Sequence, residues 1–142
     1  MNYLNSIGSN PRLNDIMLLI FRLFLGFGIL THGFPKLMKL MADEETKFMS
    51  FMGLSPDFSL GLAVFAEFVC AIFLILGLFT RIAVVPLIIT LMVAAFFSHA
   101  GDPFTDREES LLYLLGFILI LVMGPGKYSV DGMISSRRES RW

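Results

Sequence analysis

The sequence predicts an all-α integral membrane protein: a four-helix transmembrane bundle with a short amphipathic segment between helices one and two. Three observations lead there. The 142-residue chain is 56% hydrophobic and only 16% charged, with a mean hydropathy of +0.75. A soluble domain of this length cannot hide that much apolar surface in one modest core, because small domains keep a large surface-to-volume ratio. The apolar residues also gather in four long runs separated by helix-boundary residues, and about 20 helical residues cross a hydrocarbon layer about 30 Å thick. Composition excludes other classes. The apolar fraction rules out disorder. A formal net charge of −1 offers no basic field for nucleic acid. The single cysteine, Cys70, excludes an internal disulfide framework and dithiol chemistry within one chain.

The chain reads as a single transmembrane domain over residues 1–142, without repeats, linkers or low-complexity tracts. The first predicted helix covers 16–37 and is interrupted by Arg22, His32 and Pro35. Its apolar part is too long and too punctuated for a signal peptide, and no small-residue cleavage site follows. The second covers 58–79 with one charge, Glu67. Ser55-Pro56-Asp57 supplies it with a cap, a proline at the first helical position and an acid in the first turn. Gly77 and Thr80-Arg81 leave only a short turn before the third helix, 82–99, so these two are expected to be antiparallel neighbours. Pro86 falls in the first turns of helix three. The fourth covers 107–123. Thr105-x-x-Glu108 reads as a capping box at its start, and Gly124-Pro125-Gly126 as its stop. Asp43-Glu44-Glu45-Thr46 ahead of Phe48, Met49, Phe51 and Met52 reads as a short amphipathic segment on the membrane surface. Residues 134–142 read as a mobile basic tail.

Four spans put both termini on one side. Arg12, Arg81, Lys127, Arg137, Arg138 and Arg141 lie there, against Lys36, Lys39, Lys47 and Arg107 on the other. The lysine and arginine excess assigns the termini to the cytoplasm. The opposite face is electronegative, with Asp43, Glu44, Glu45, Asp57, Asp102, Asp106, Glu108 and Glu109.

Charged side chains at the centre of a membrane helix cost at least about 2.5–3.5 kcal/mol on insertion scales, and they usually face the interior and mark function. Arg22 lies six residues inside helix one, about 9 Å at 1.5 Å per residue. Glu67 lies near the middle of helix two, His32 in the outer half of helix one, His99 at the outer end of helix three and Glu109 at the start of helix four. His32 and Lys36 are four apart and share a face. If the helices enclose one cavity, His32, Glu67, His99 and Glu109 line its outer half, with Lys36 beside them. Imidazoles that titrate near neutral pH mixed with carboxylates suit proton handling, polar head-group recognition or a metal. The ligand-binding or proton-handling candidates are therefore His32, Glu67, His99, Glu109, Arg22 and Lys36.

Each has a structural reading beside the functional one. Arg22 snorkels to the head groups, or pairs with Glu67 so that both charges are neutralised. His32 hydrogen-bonds a neighbouring helix. His99 and Glu109 sit at the interface, where polarity costs little. Glu108 completes the capping box. The nine methionines and fifteen phenylalanines pack or face lipid. Arg22, Gly26 and Gly33 fall on one stripe, which lets another helix approach closely. A zinc or di-iron site would draw on His32, His99 and carboxylates, without a Cys or His pair at ligand spacing. Bis-histidine haem would need His32 and His99 at one depth. Haem and metal are therefore not expected.

The stretch from Leu19-Ile20-Phe21-Arg22 to Thr31-His32-Gly33-Phe34-Pro35-Lys36 resembles the opening of the DoxX family. The later pieces agree in order and spacing: Glu67 and Gly77-Leu78-Phe79-Thr80-Arg81, then Glu109-Ser110-Leu111-Leu112-Tyr113, then Gly124-Pro125-Gly126-Lys127-Tyr128-Ser129-Val130-Asp131. The resemblance covers roughly residues 16–132. It implies a four-helix inner-membrane protein of bacteria or archaea. Some relatives are small subunits of a thiosulfate:quinone oxidoreductase, and others are partners in thiol-redox complexes. The helix count is similar to that of the quinone-linked thiol oxidoreductases related to vitamin K epoxide reductase, from which this chain departs because Cys70 is alone and mid-helix.

Three functions follow as expectations. The first is a redox-associated subunit that binds a quinone or similar lipophilic ligand and is not self-sufficient, since another chain supplies the electrons. The second is a non-catalytic scaffold recruiting a redox or envelope enzyme. The third is a small-molecule or lipid-binding or transport protein. The expected partners are the lipid bilayer and either a second subunit or further copies of the chain, with no nucleic acid.

Overall fold

The computed structural model describes residues 10–42, 48, 50, 53–98, 101 and 103–139. The side chains of residues 138 and 139 are not described. Among these residues all regular structure is helical. Helix α1 is Pro11–Met41, α2 is Pro56–Leu76, α3 is Thr80–Ser98, α4 is Phe104–Met123 and α5 is Val130–Glu139. The first three are long and apolar enough to cross a membrane at 31, 21 and 19 residues, about 46, 31 and 28 Å at 1.5 Å per residue. Helix α4 has 20 residues, but Asp106, Arg107, Glu108 and Glu109 fill its first turns and confine its apolar part to 110–123.

Local chemistry explains the boundaries. Helix α1 starts earlier than its apolar run because Asn10 caps it, accepting from the backbone N–H of Arg12 at 3.2 Å, with Pro11 at the first helical position. It continues through Pro35 to Met41. Ser55 caps α2 through Phe58 N–H at 3.3 Å, with Pro56 and Asp57 in the first turn. Gly77 ends α2 in the left-handed conformation, φ 70°, where a Cβ would be strained. The expected capping box is not formed. Helix α4 begins at Phe104 behind Pro103, which places Thr105 inside the first turn with no side-chain cap on the helix. The stretch from Ile134, expected as a tail, is helical to Glu139. Ser129 starts that helix by accepting from Gly132 N–H at 2.9 Å. The expected amphipathic segment and His99 lie outside the described residues, apart from Phe48.

Two contacts fix each pairing of α1. Gly26 faces Ile75 and Gly33 faces the backbone of Glu67, so α1 runs antiparallel to α2. Arg22 reaches the segment after α4 while His32 reaches Glu109 near its start, so α1 also runs antiparallel to α4. Leu25 and Ile29 from α1, Leu74 from α2, Leu87 and Leu91 from α3, and Phe117 and Ile120 from α4 form a common core. The outer surface is apolar as well, with Phe24, Ile82 and Val122 strongly exposed. A soluble protein does not present such a surface; a lipid-facing one does.

Candidate functional site

Glu67 sits in a π-helical stretch of α2, Phe65–Cys70. A π-turn inserts an extra residue into the helix and shifts the register of what it carries, a device common at functional sites. The close approach of α1 depends on Gly33: a Cβ there would strike the carbonyl of Glu67. One turn further along α1, the Lys36 ammonium lies 2.6 Å from each carboxylate oxygen of Glu67. The Glu67 side chain is 4% exposed and that of Lys36 32%. The expected pairing of Glu67 with Arg22 is therefore corrected. Lys36 is closer along the helix face and has a flexible four-carbon stem that lets its charge reach inward.

Arg22 is buried at the other end and does not snorkel. Its two terminal nitrogens donate to the carbonyls of Pro125 and Tyr128 at 2.5 and 2.6 Å. The carboxylate of Asp131 accepts from the backbone N–H of Phe79 and Thr80 and from the Thr80 hydroxyl, each at 2.9 Å. That caps α3, whose own preceding residue offers no side chain to do so. Arg22 thus ties α1 to the segment after α4, and Asp131 ties the first turn of α5 to the start of α3. Arg22 takes no part in the Lys36–Glu67 cluster.

His32 Nε2 lies 3.0 Å from Glu109 Oε1, with side chains 46% and 64% exposed. Its ring meets Tyr113 edge-on at 6.1 Å. Two cavities adjoin these groups. One, of about 310 Å3, is lined by His32, Lys36, Glu67, Asp106, Glu109, Ser110 and Tyr113 together with Ile29, Leu91 and Ala94. The other, of about 300 Å3, is mainly apolar, lined by Phe48, Leu62, Ala63, Ile89, Val93 and Ala94 together with Lys36, Glu67, Ser59, Thr90 and Ser98. Among the described residues no group of three or more His, Cys, Asp or Glu side chains is placed to hold a metal ion.

Of the six sequence candidates, four converge: His32, Lys36, Glu67 and Glu109 line the polar cavity. Arg22 does not. Tyr113, Asp106 and Ser110 were not singled out, although Asp106, Glu109 or Ser110, and Tyr113 recur at helical spacing, which gives one polar stripe along α4. Cys70 is buried.

The proteins this chain is similar to are membrane proteins. The chain is 26% identical to the inner membrane protein YqjF of Escherichia coli over 132 residues, 89% of this chain and 98% of the relative. It is 31% identical to an uncharacterized membrane protein of Mycobacterium tuberculosis over 134 residues, 82% of this chain and 80% of the relative. It is 30% identical to the inner membrane protein YphA of E. coli over 126 residues, 82% and 89% of the two chains. No solved structure matches significantly. The DoxX family model matches residues 17–100, which contain the Lys36–Glu67 pair, and the chain belongs to the DoxX family.

Proposed function

We propose that this protein is a four-span bundle of the bacterial inner membrane, termini in the cytoplasm, that binds a quinone-like amphiphile by its head group at the Lys36–Glu67 pair. It acts as a subunit beside a second protein. One observation carries the reading: a bidentate ion pair, its carboxylate buried and its lysine a third exposed, lies where a mainly apolar cavity meets a polar one. A buried pair is weak evidence for stability alone, because desolvation offsets its attraction. Its chemistry suits a head group that alternates between acceptor and donor. The ammonium donates to a ring carbonyl, and the carboxylate accepts from a ring hydroxyl. A cavity of about 300 Å3 is at the small end of ligand pockets, about 300–1,000 Å3. It holds a ring and leaves a lipid tail to run out past Leu62 and Ile89, both exposed. Two relatives carry inner-membrane names, which supports the location. Cys70, the lone cysteine, is buried and supplies no dithiol of its own, which favours electrons reaching a bound quinone from a second protein.

The test is titration of the full chain in lipid nanodiscs with a short-chain quinone. Saturable binding that weakens by about tenfold or more in Glu67→Gln, about 1.4 kcal/mol, is the expected result. Partitioning that never saturates, equal in both proteins, contradicts it.

A non-catalytic scaffold is the second reading. It is favoured by α5, which exposes Met133 and Ile134 next to the basic end of the chain. Removing residues 134–142 would then release a co-purifying protein that Glu67→Gln retains.

A further inference from the structure

The two cavities share Lys36, Glu67 and Ala94. The apolar one lies against α2 and α3, and the polar one against α1 and α4. Among the described residues, two π-helical stretches fall at this junction. Phe65–Cys70 carries Glu67, and Ala94–Ser98 carries Ala94 and Ser98. Each changes the local register of its helix beside the cavities. The only long side chain reaching between the cavities from α1 is Lys36, an unbranched stem whose rotation moves its ammonium without moving a helix.

We propose that the two cavities are the ends of one lateral passage, closed by the Lys36 side chain, whose polar end admits protons and small hydrated cations and turns anions away. The charge selectivity comes from the lining. Asp106, Glu109 and Glu67 set three carboxylates against the ammonium of Lys36 and the imidazole of His32, which meets Glu109, and a low-dielectric recess focuses that field. The inference does not depend on what occupies the apolar cavity. A chain that bound no quinone would still have the passage, and a quinone site could exist without it.

The test uses the full chain in nanodiscs with Cys70→Ala, which leaves no other thiol. Ala94→Cys places a thiol at the junction and Ala63→Cys one at the apolar end. Modification is followed with a trimethylammonium and a sulfonate thiosulfonate, each rate normalised to that reagent's rate with a small free thiol. At Ala94→Cys the cationic reagent is expected to react about tenfold faster than the anionic one. Lys36→Ala should speed cationic modification at Ala63→Cys several-fold beyond Lys36→Met, which removes the charge but keeps the stem. Equal normalised rates for the two reagents overturn the selectivity, and an Ala63→Cys rate that is the same in Lys36→Ala and Lys36→Met overturns the passage. Should Ala94→Cys fail to fold, Ser110→Cys in the polar cavity reads the selectivity in its place.

Discussion

Lys36 on α1 and Glu67 on the π-helical stretch of α2 form a two-point ion pair, 2.6 Å from the ammonium to each carboxylate oxygen, with the acid almost wholly removed from solvent. This pair joins α1 to α2 and stands at the border of both cavities. Its geometry makes the two residues energetically dependent on each other.

Removing either partner strands the other. Breaking a fully buried pair costs about 3–5 kcal/mol. Lys36 is a third exposed, so Lys36→Met should fall at or below the lower end of that range. The double variant Lys36→Met with Glu67→Gln should recover much of the loss, because no charge is then left buried. Thermal unfolding of all four proteins in one detergent checks this. Losses that simply add in the double variant would show that the pair is uncoupled.

Arg22 should matter to a different part of the molecule. Hydrogen bonds from a charged donor contribute about 1.5–3 kcal/mol each. Arg22→Met should therefore raise amide exchange over residues 124–131, measured by hydrogen-exchange mass spectrometry. Arg22→Lys should not restore protection, since a point charge cannot span two carbonyls as a guanidinium fork does. Exchange around Glu67 should stay as in the parent, because Lys36 lies 14 residues further along α1, about 21 Å away at 1.5 Å per residue.

Two glycine-to-alanine changes should have opposite signs. Gly33→Ala drives a methyl into the Glu67 carbonyl, and overpacking of this kind costs about 1–3 kcal/mol. It should also weaken the ligand titration by separating Lys36 from Glu67. Gly61→Ala, in α2 with nothing within 4 Å of its added carbon, should stabilise by about 0.5–1 kcal/mol through helix propensity. The melting temperatures of the two variants give the signs.

The sequence was most informative where one helix acts alone. The apolar runs located the long helices, Ser55 announced the start of α2, and the four-residue spacing of His32 and Lys36 placed them on one face; Gly77 ends α2 at Leu76, three residues short of the expected 79. Equal depth was enough to bring Glu109 to that face. Helix ends outside the apolar runs were harder. The first turn of α1 and most of α5 are polar, so hydrophobicity does not reveal them, and Pro103 displaced the start that Thr105 and Glu108 advertised. Which base meets Glu67 depends on helix rotation and on the segment after α4, whose carbonyls capture Arg22. The π-turns at Glu67 and Ala94 carry no pattern of their own in the residues, although residues of both line the site.

The central claim, a head-group site built on Lys36 and Glu67, is met most directly by native mass spectrometry of the protein taken from its own membranes in mild detergent. The parent chain and Arg22→Met should retain a mass corresponding to a quinone, and Glu67→Gln should lose it. A parent chain carrying no small molecule, or a retained mass that survives Glu67→Gln, would contradict the account.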